Sequence, residues 1–194
     1  KVLKNKFKNK TQVYLIMDCA QAIEKMHNGD SDVQTDAHTP LSDKWVLWAH
    51  LPHNTDWSLK SYINIKEISA VEEVVALNNY ISDTMITNCM LFLMRKNINP
   101  TWEDEKNVNG GSFSFKITNK EACKIWRNLM CAVTGETISD DDNFLECVNG
   151  ITISPKKSFC IIKIWMSSIK YQSTTKLNKI DGLSTYGCLF KKHK

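Results

Sequence analysis

Apolar positions recur along the chain with two different periods, and the changes of period mark out most of its elements. Residues 44–49, 59–65 and 90–95 read as strands, the first two separated by a Pro/Asn/Asp turn region around residues 52–56. Residues 112–118 alternate at period two, with Phe113, Phe115 and Ile117 on one face. Residues 150–153 and 159–166 read as a hairpin joined through 154–158. Helical spacing appears in three places. Ile16, Cys19, Ala20 and Ile23 give an amphipathic helix over 14–26. Val71, Val74, Val75 and Ile81 give one over 71–81, opened by the capping box Ser69-x-x-Glu72. A third runs over 120–134, capped by Asn119 and stopped by Gly135. Residues 97–111 are polar and irregular and end in Gly110-Gly111; residues 167–194 are polar with little periodicity. The polar linker 28–36 divides an N-terminal extension, 1–37, from a main domain, 38–194. Within that domain the order ββαββαββ lacks βαβ alternation. It predicts an α+β fold, an antiparallel sheet with helices on one face and the other face free for a ligand.

Bulk properties narrow this picture only slightly. A chain of 194 residues with 42% hydrophobic and 24% charged residues suits one globular domain with a tail. A net charge of +4 permits an anionic ligand without demanding one. Seven cysteines, none spaced as C-x-x-C, argue against a disulfide framework or a zinc knuckle and fit a reduced cytoplasmic or nuclear setting. No apolar run reaches membrane-spanning length, so no membrane partner is expected. The five histidines show neither metal spacing nor a paired nucleophile, and no glycine-rich phosphate loop is present, so neither metal nor cofactor is expected. Lys179-Ile180-Asp181-Gly182 matches the K-x-D-G of capping nucleotidyltransferases, but it lies too near the end for the domain that should follow and reads as a turn.

The tryptophans carry the candidate chemistry. Of six, Trp45, Trp48 and Trp126 sit in apolar periodic segments and read as core. Trp57 and Trp102 lie in polar stretches, where they either fold back as loop anchors or serve a ligand. Two indoles suit a flat ring between them, above all a cationic one such as guanine methylated at N7. Glu103, next to Trp102, is positioned to accept from guanine N1–H and the exocyclic amine together, a charge-assisted bidentate contact that adenine does not offer.

These residues resemble the eukaryotic translation initiation factor 4E family, the factors that bind the messenger RNA cap. Thr39-Pro40-Leu41, Trp45-Val46-Leu47-Trp48 and Trp57 resemble its opening motifs, and residues 71–77 its first helix. Pro100-Thr101-Trp102-Glu103-Asp104-Glu105-Lys106-Asn107 with Gly110-Gly111 is the most specific match. Gly135-Glu136 resembles the end of its second helix and Ile162-Lys163-Ile164-Trp165 the strand of a further tryptophan. The resemblance implies a curved antiparallel sheet with helices on the convex face and the cap in the concave face. It implies Trp57 and Trp102 as the base sandwich, Glu103 on the guanine edge and Trp165 near the methyl group, in a binder and not an enzyme.

The chain departs from the family on both faces. Ser112 and Ser154 stand where arginine is usual. Lys163, two residues before Trp165, is the first candidate for the cap phosphates, with Lys156 and Lys157 in the hairpin loop and Lys176 further on as alternatives. On the convex face the implied partner surface comprises Pro40, Val71, Val75, Trp126, Arg127, Met130 and Cys131. Val75 stands where the family has a tryptophan, and Arg127 and Cys131 replace leucines. Such a surface implies a scaffold factor of the 4G type, a diverged equivalent, or a repressor. The helix at 14–26 could instead lie across it. Tyr171-Gln172-Ser173 follows closely on Trp165, so the family's third helix is either absent or lies in a segment that this sequence omits. Two other readings remain at this point: a cap-binding repressor that does not recruit the scaffold, and a general single-stranded RNA binder using the same aromatics.

Overall fold

The computed structural model describes residues 39–52 and 54–194; the segment 14–26 and the expected domain boundary before residue 38 lie outside them. Seven strands, β1 (Pro40–His50), β2 (Tyr62–Ala70), β3 (Met90–Arg95), β4 (Gly111–Thr118), β5 (Val148–Pro155), β6 (Phe159–Met166) and β7 (Leu189–Lys192), form one sheet in the order β2-β1-β3-β5-β6-β4-β7. Every neighbouring pair is antiparallel. The sheet is curved and does not close, and the fold is α+β as expected. Among the described residues there are four α-helices, α1 (Val71–Tyr80), α2 (Asp83–Asn88), α3 (Asn119–Thr134) and α4 (Asp142–Leu145).

Alternation along the strands separates two apolar clusters. Trp45, Leu47, Leu93, Phe113, Phe115, Ile151, Ile162 and Ile164 face the helices and form the main core. The helix α3 supplies Ala122, Ile125, Trp126, Leu129, Met130 and Val133, the i, i+3, i+4, i+7 stripe of a helix buried on one side. On the opposite, concave face a smaller cluster gathers Phe92, Met94, Ile98 and Trp165, with Trp48, Tyr62 and Met90 packed against it.

Several expectations are corrected. Trp126 and Met130 are fully buried in the main core and take no part in a surface. Residues 59–61 form a 3-10 turn, so β2 starts later than the alternation implied. The capping carboxylate of α1 is Glu73, not Glu72: it accepts from the Ser69 and Ala70 amides at 2.7 and 3.2 Å. Glu72 accepts from the Thr39 amide at 3.1 Å, tying the start of the described chain to α1. α3 begins after Thr118, whose hydroxyl donates to Glu121 at 2.8 Å, and not after an Asn119 cap. Helix α2 was missed because it is only six residues long and announces itself only by Ser82, whose hydroxyl oxygen accepts from the Met85 amide. Strand β7 was missed because its four residues are mostly exposed and polar.

Candidate binding face

Trp57 is held by a short self-bonded loop. The Asn54 side chain accepts from the Asp56 amide at 3.0 Å, and the Asp56 carboxylate accepts from the Ser58 amide at 2.8 Å and its hydroxyl at 3.0 Å. Those Ser58 bonds, with His50 adding, hold the Asp56 carboxyl below the usual carboxylate range. The indole itself is 56% exposed, far more than an anchor folded back into a core.

Trp102 and Glu103 are presented by a second loop built around Asn107. This side chain is fully buried. Its amide nitrogen donates to the carbonyls of Asn99 and Thr101 at 3.1 and 2.8 Å, and its oxygen accepts from the Asn149 side chain at 2.8 Å. Asp104 closes the other side, accepting from the Asn99 amide at 2.9 Å and the Lys106 amide at 3.0 Å. The Asp and Asn of the motif therefore fold the loop, and its Trp and Glu are left outside: Trp102 is 47% exposed and Glu103 is exposed. Glu103 faces Tyr62, whose hydroxyl is pushed up by burial and further by that carboxylate. Tyr62 pairs across the sheet with His50, and His50 stacks on Trp57. The two loops thus converge on one end of the concave face.

A basic region lies beside this aromatic one. Trp165 is buried on the concave cluster and its indole N–H donates to Thr152 Oγ1 at 2.7 Å. The Lys163 ammonium lies 5.9 Å from the Trp165 ring centre. Burial pushes Lys163 below the usual lysine range, and Lys191 and Lys156 push it the same way. Lys191 comes from β7, opposite Ser112, which is in turn opposite Trp165. A row Trp165–Ser112–Lys191 therefore crosses the face. His193 follows, its ring 4.8 Å from that of Trp165 and its Nδ1 donating to the Asn107 carbonyl at 2.8 Å. Lys191, His193 and His50 were not foreseen: β7 carried no periodic signal, and a single histidine in an apolar strand carries no motif.

Other expected site residues lie elsewhere. Lys156 and Lys157 are exposed at the β5–β6 hairpin, with Lys156 near enough to act on Lys163. Lys176 is on the helical side, paired with Asp141 at 2.9 Å, within a stretch that also bonds Asn178 to Ile138 and Asp181 to Asn128 and Lys124. The structure therefore separates Lys176 from Lys163 and Trp165; residues 176–181 fold back toward α3 and the helical side, and the chain returns to the sheet only at β7. On the convex face Val71 and Val75 are 41% and 55% exposed, and Pro40 and Cys131 are exposed. Arg127 turns inward, donating to the carbonyls of Asn78 and Ile81 and pairing with Asp83 at 2.8 Å. Among the described residues no three His, Cys, Asp or Glu side chains converge as a metal site.

Several solved structures share this architecture. They include the complex of C. elegans eIF4E-3 with the 4E-binding protein Mextli and a cap analog, at a TM-score of 0.62 and 21% identity over 69% of this chain and 76% of that one. Schistosome eIF4E complexed with m7GpppG and 4E-BP gives a TM-score of 0.62 and 21% identity over 69% and 74% of the two chains. In sequence the chain is 32% identical to eukaryotic translation initiation factor 4E of Eremothecium gossypii, over 73% of this chain and 69% of that protein. It is 31% identical to the factor of Saccharomyces cerevisiae, over 69% and 64%. The pattern of the family Eukaryotic initiation factor 4E matches residues 40–185. The chain belongs to that family, whose members are cap-binding proteins of translation and not enzymes.

Proposed function

We propose that the protein binds the 7-methylguanosine cap on its concave face in translation initiation, with the methylated base between Trp57 and Trp102. The observation that carries this reading is the pair of indoles left 56% and 47% exposed by loops held together by their own hydrogen bonds. Glu103 reads the guanine edge, Trp165 borders the methyl group, and Lys163 and Lys191 meet the phosphates, with Lys156 and Lys157 at the rim. Neighbouring structures of the fold bound to cap analogs support the choice of ligand.

The convex face is proposed to bind a scaffold factor of the 4G type, or a repressor that competes with it. Structures of relatives with 4E-binding proteins support a partner of that kind. One observation favours a second reading, a cap-binding repressor with weak scaffold recruitment: Val75 offers a small apolar contact where an aromatic anchor is expected, and anchors carry most of an interface's energy. The setting proposed is cytoplasmic or nuclear.

The test is a titration of 7-methyl-GTP against GTP, followed by tryptophan fluorescence, on the natural chain, Trp102→Ala and Glu103→Ala. Loss of one stacking partner removes about 1–3 kcal/mol, a factor of roughly 5 to 150 in affinity. Equal binding of the two nucleotides by the natural chain would refute the proposal.

A further inference from the structure

His50 is a buried polar side chain for which the reading above has no use. It ends β1 on the concave face, only 2% exposed, and burying an imidazole is costly unless its polar atoms are satisfied. Its Nε2 lies 2.8 Å from the Asp56 carbonyl oxygen. A carbonyl only accepts, so this nitrogen carries a hydrogen and donates. The imidazole also lies flat against the indole of Trp57, centres 4.3 Å apart and planes within 2°. Tyr62 meets the same ring edge-on at 5.2 Å. One side chain thus grips the Trp57 loop by its backbone and fixes the plane of its indole. With 56% of Trp57 exposed, the indole face away from His50 is the one open to a ligand.

We infer that His50 is the positioning residue for Trp57, and that the ring it lays behind the indole sets how tightly a flat cationic ring stacks on the outer face. The second half rests on the cap reading. The Nε2–H bond to the Asp56 carbonyl holds the loop, and the parallel imidazole holds the indole plane, so the outer face is presented in one orientation. The other side chains around His50 are Tyr62 on β2, which meets it edge-on, and Met90 opposite it on β3.

Two measurements test this. In the ligand-free protein, the emission of Trp57 is read in each background as the difference made by Trp57→Phe. His50→Ala moves that emission to longer wavelength as the indole loses its backing, and His50→Phe restores it. In the second, affinity for 7-methyl-GTP is measured. His50→Ala binds about two- to tenfold more weakly than the natural chain, and His50→Phe, which keeps a ring behind the indole, recovers most of the loss. Unchanged Trp57 emission and affinity in His50→Ala, or the same loss in His50→Phe as in His50→Ala, would overturn the inference. The emission change without any preference for 7-methyl-GTP over GTP overturns the cap reading and leaves the positioning role standing.

Discussion

Replacing Asn107 by aspartate keeps the shape of the side chain and exchanges its two N–H donors for an acceptor. Those donors hold the carbonyls of Asn99 and Thr101 at 3.1 and 2.8 Å, on either side of the turn that presents Trp102. Asn107 is fully buried, so water does not replace them at no cost. Each lost bond is worth about 0.5–1.5 kcal/mol net, and a carboxylate facing two carbonyls adds repulsion, for a total of about 3 kcal/mol. For a domain of this size that corresponds to a fall in Tm of roughly 6–12 °C. The introduced carboxyl, buried and facing acceptors, has its pKa raised in the folded state. Its penalty is therefore present above that pKa and relieved as pH falls below it, when the protonated form can donate to one carbonyl. Urea unfolding of the natural chain and Asn107→Asp gives the stability change, and 7-methyl-GTP titration gives the effect on the site, expected to be at least tenfold since Trp102 is no longer held in place. An unchanged urea midpoint would mean that the bonds around Asn107 do not hold the loop. A lowered midpoint with unchanged affinity would mean that Asn107 supports the fold without presenting Trp102.

Three further outcomes are expected. Lys163→Ala and Lys191→Ala weaken binding of 7-methyl-GTP several-fold and leave the phosphate-free nucleoside 7-methylguanosine nearly unaffected; equal losses for both ligands would remove these lysines from the phosphate site. Because burial holds the Lys163 proton less tightly than in an ordinary lysine and a triphosphate would hold it more tightly, binding takes up a proton: the affinity for 7-methyl-GTP relative to 7-methylguanosine is full below the free-state pKa of Lys163 and falls as pH rises through it. Arg95→Met, which removes a largely buried guanidinium paired with Asp43 and Glu136 at 2.8 Å each and bonded to the carbonyls of Val148 and Leu145, lowers stability by about 3 kcal/mol in urea titration, with cap affinity changing far less.

What could be read from the sequence was what repeats or forms a motif. Six strands and the two longer helices of the described region followed from periodicity, because each buries one face against a single core. The limits of those elements were less legible. The α1 cap falls to Glu73 because the helix starts at Val71, one residue later than the Ser69 box assumes. The tail was opaque for a different reason. Its contacts are long-range and polar, such as Asn178 to Asp140 and Lys124 to Asp181, and neither leaves a period in the sequence. That is why Lys176 was assigned to the wrong side of the sheet and β7 was not seen. Trp57 and Trp102 stand out in the sequence because tryptophans in polar loops are unusual, and the structure leaves both exposed, while the buried residues beneath their loops, His50 and Asn107, resemble any other polar residue until the fold is known. Trp126 and Met130, assigned to a surface by resemblance, are the reverse case: the 3.6-residue stripe of α3 already placed them with Ile125 and Leu129 on the buried side.

The two faces of the sheet answer their substitutions differently, and geometry explains why. At Ser112 the concave face has a small side chain where the family often has arginine. The neighbouring strand β7 carries Lys191 in register with that serine, and β6 carries Lys163 two residues before Trp165. A phosphate chain is flexible and recognised largely by charge, so a cation arriving from an adjacent strand serves as well as one on the original strand. The convex face has no such latitude. A helix docking on α1 and α3 needs shape at a fixed point, and the nearest large side chain on α3, Trp126, is sealed in the core. Arg127, which could reach outward, is committed to the last carbonyls of α1 and to Asp83. Restoring an aromatic at Val75, 55% exposed and free of steric constraint from the core, should therefore raise affinity for a helical scaffold-type peptide at least tenfold, measured by calorimetry on Val75→Trp, while leaving 7-methyl-GTP binding unchanged. If Val75→Trp gains nothing, the weakness of this face does not lie in the missing anchor, and a partner with a different footprint has to be sought.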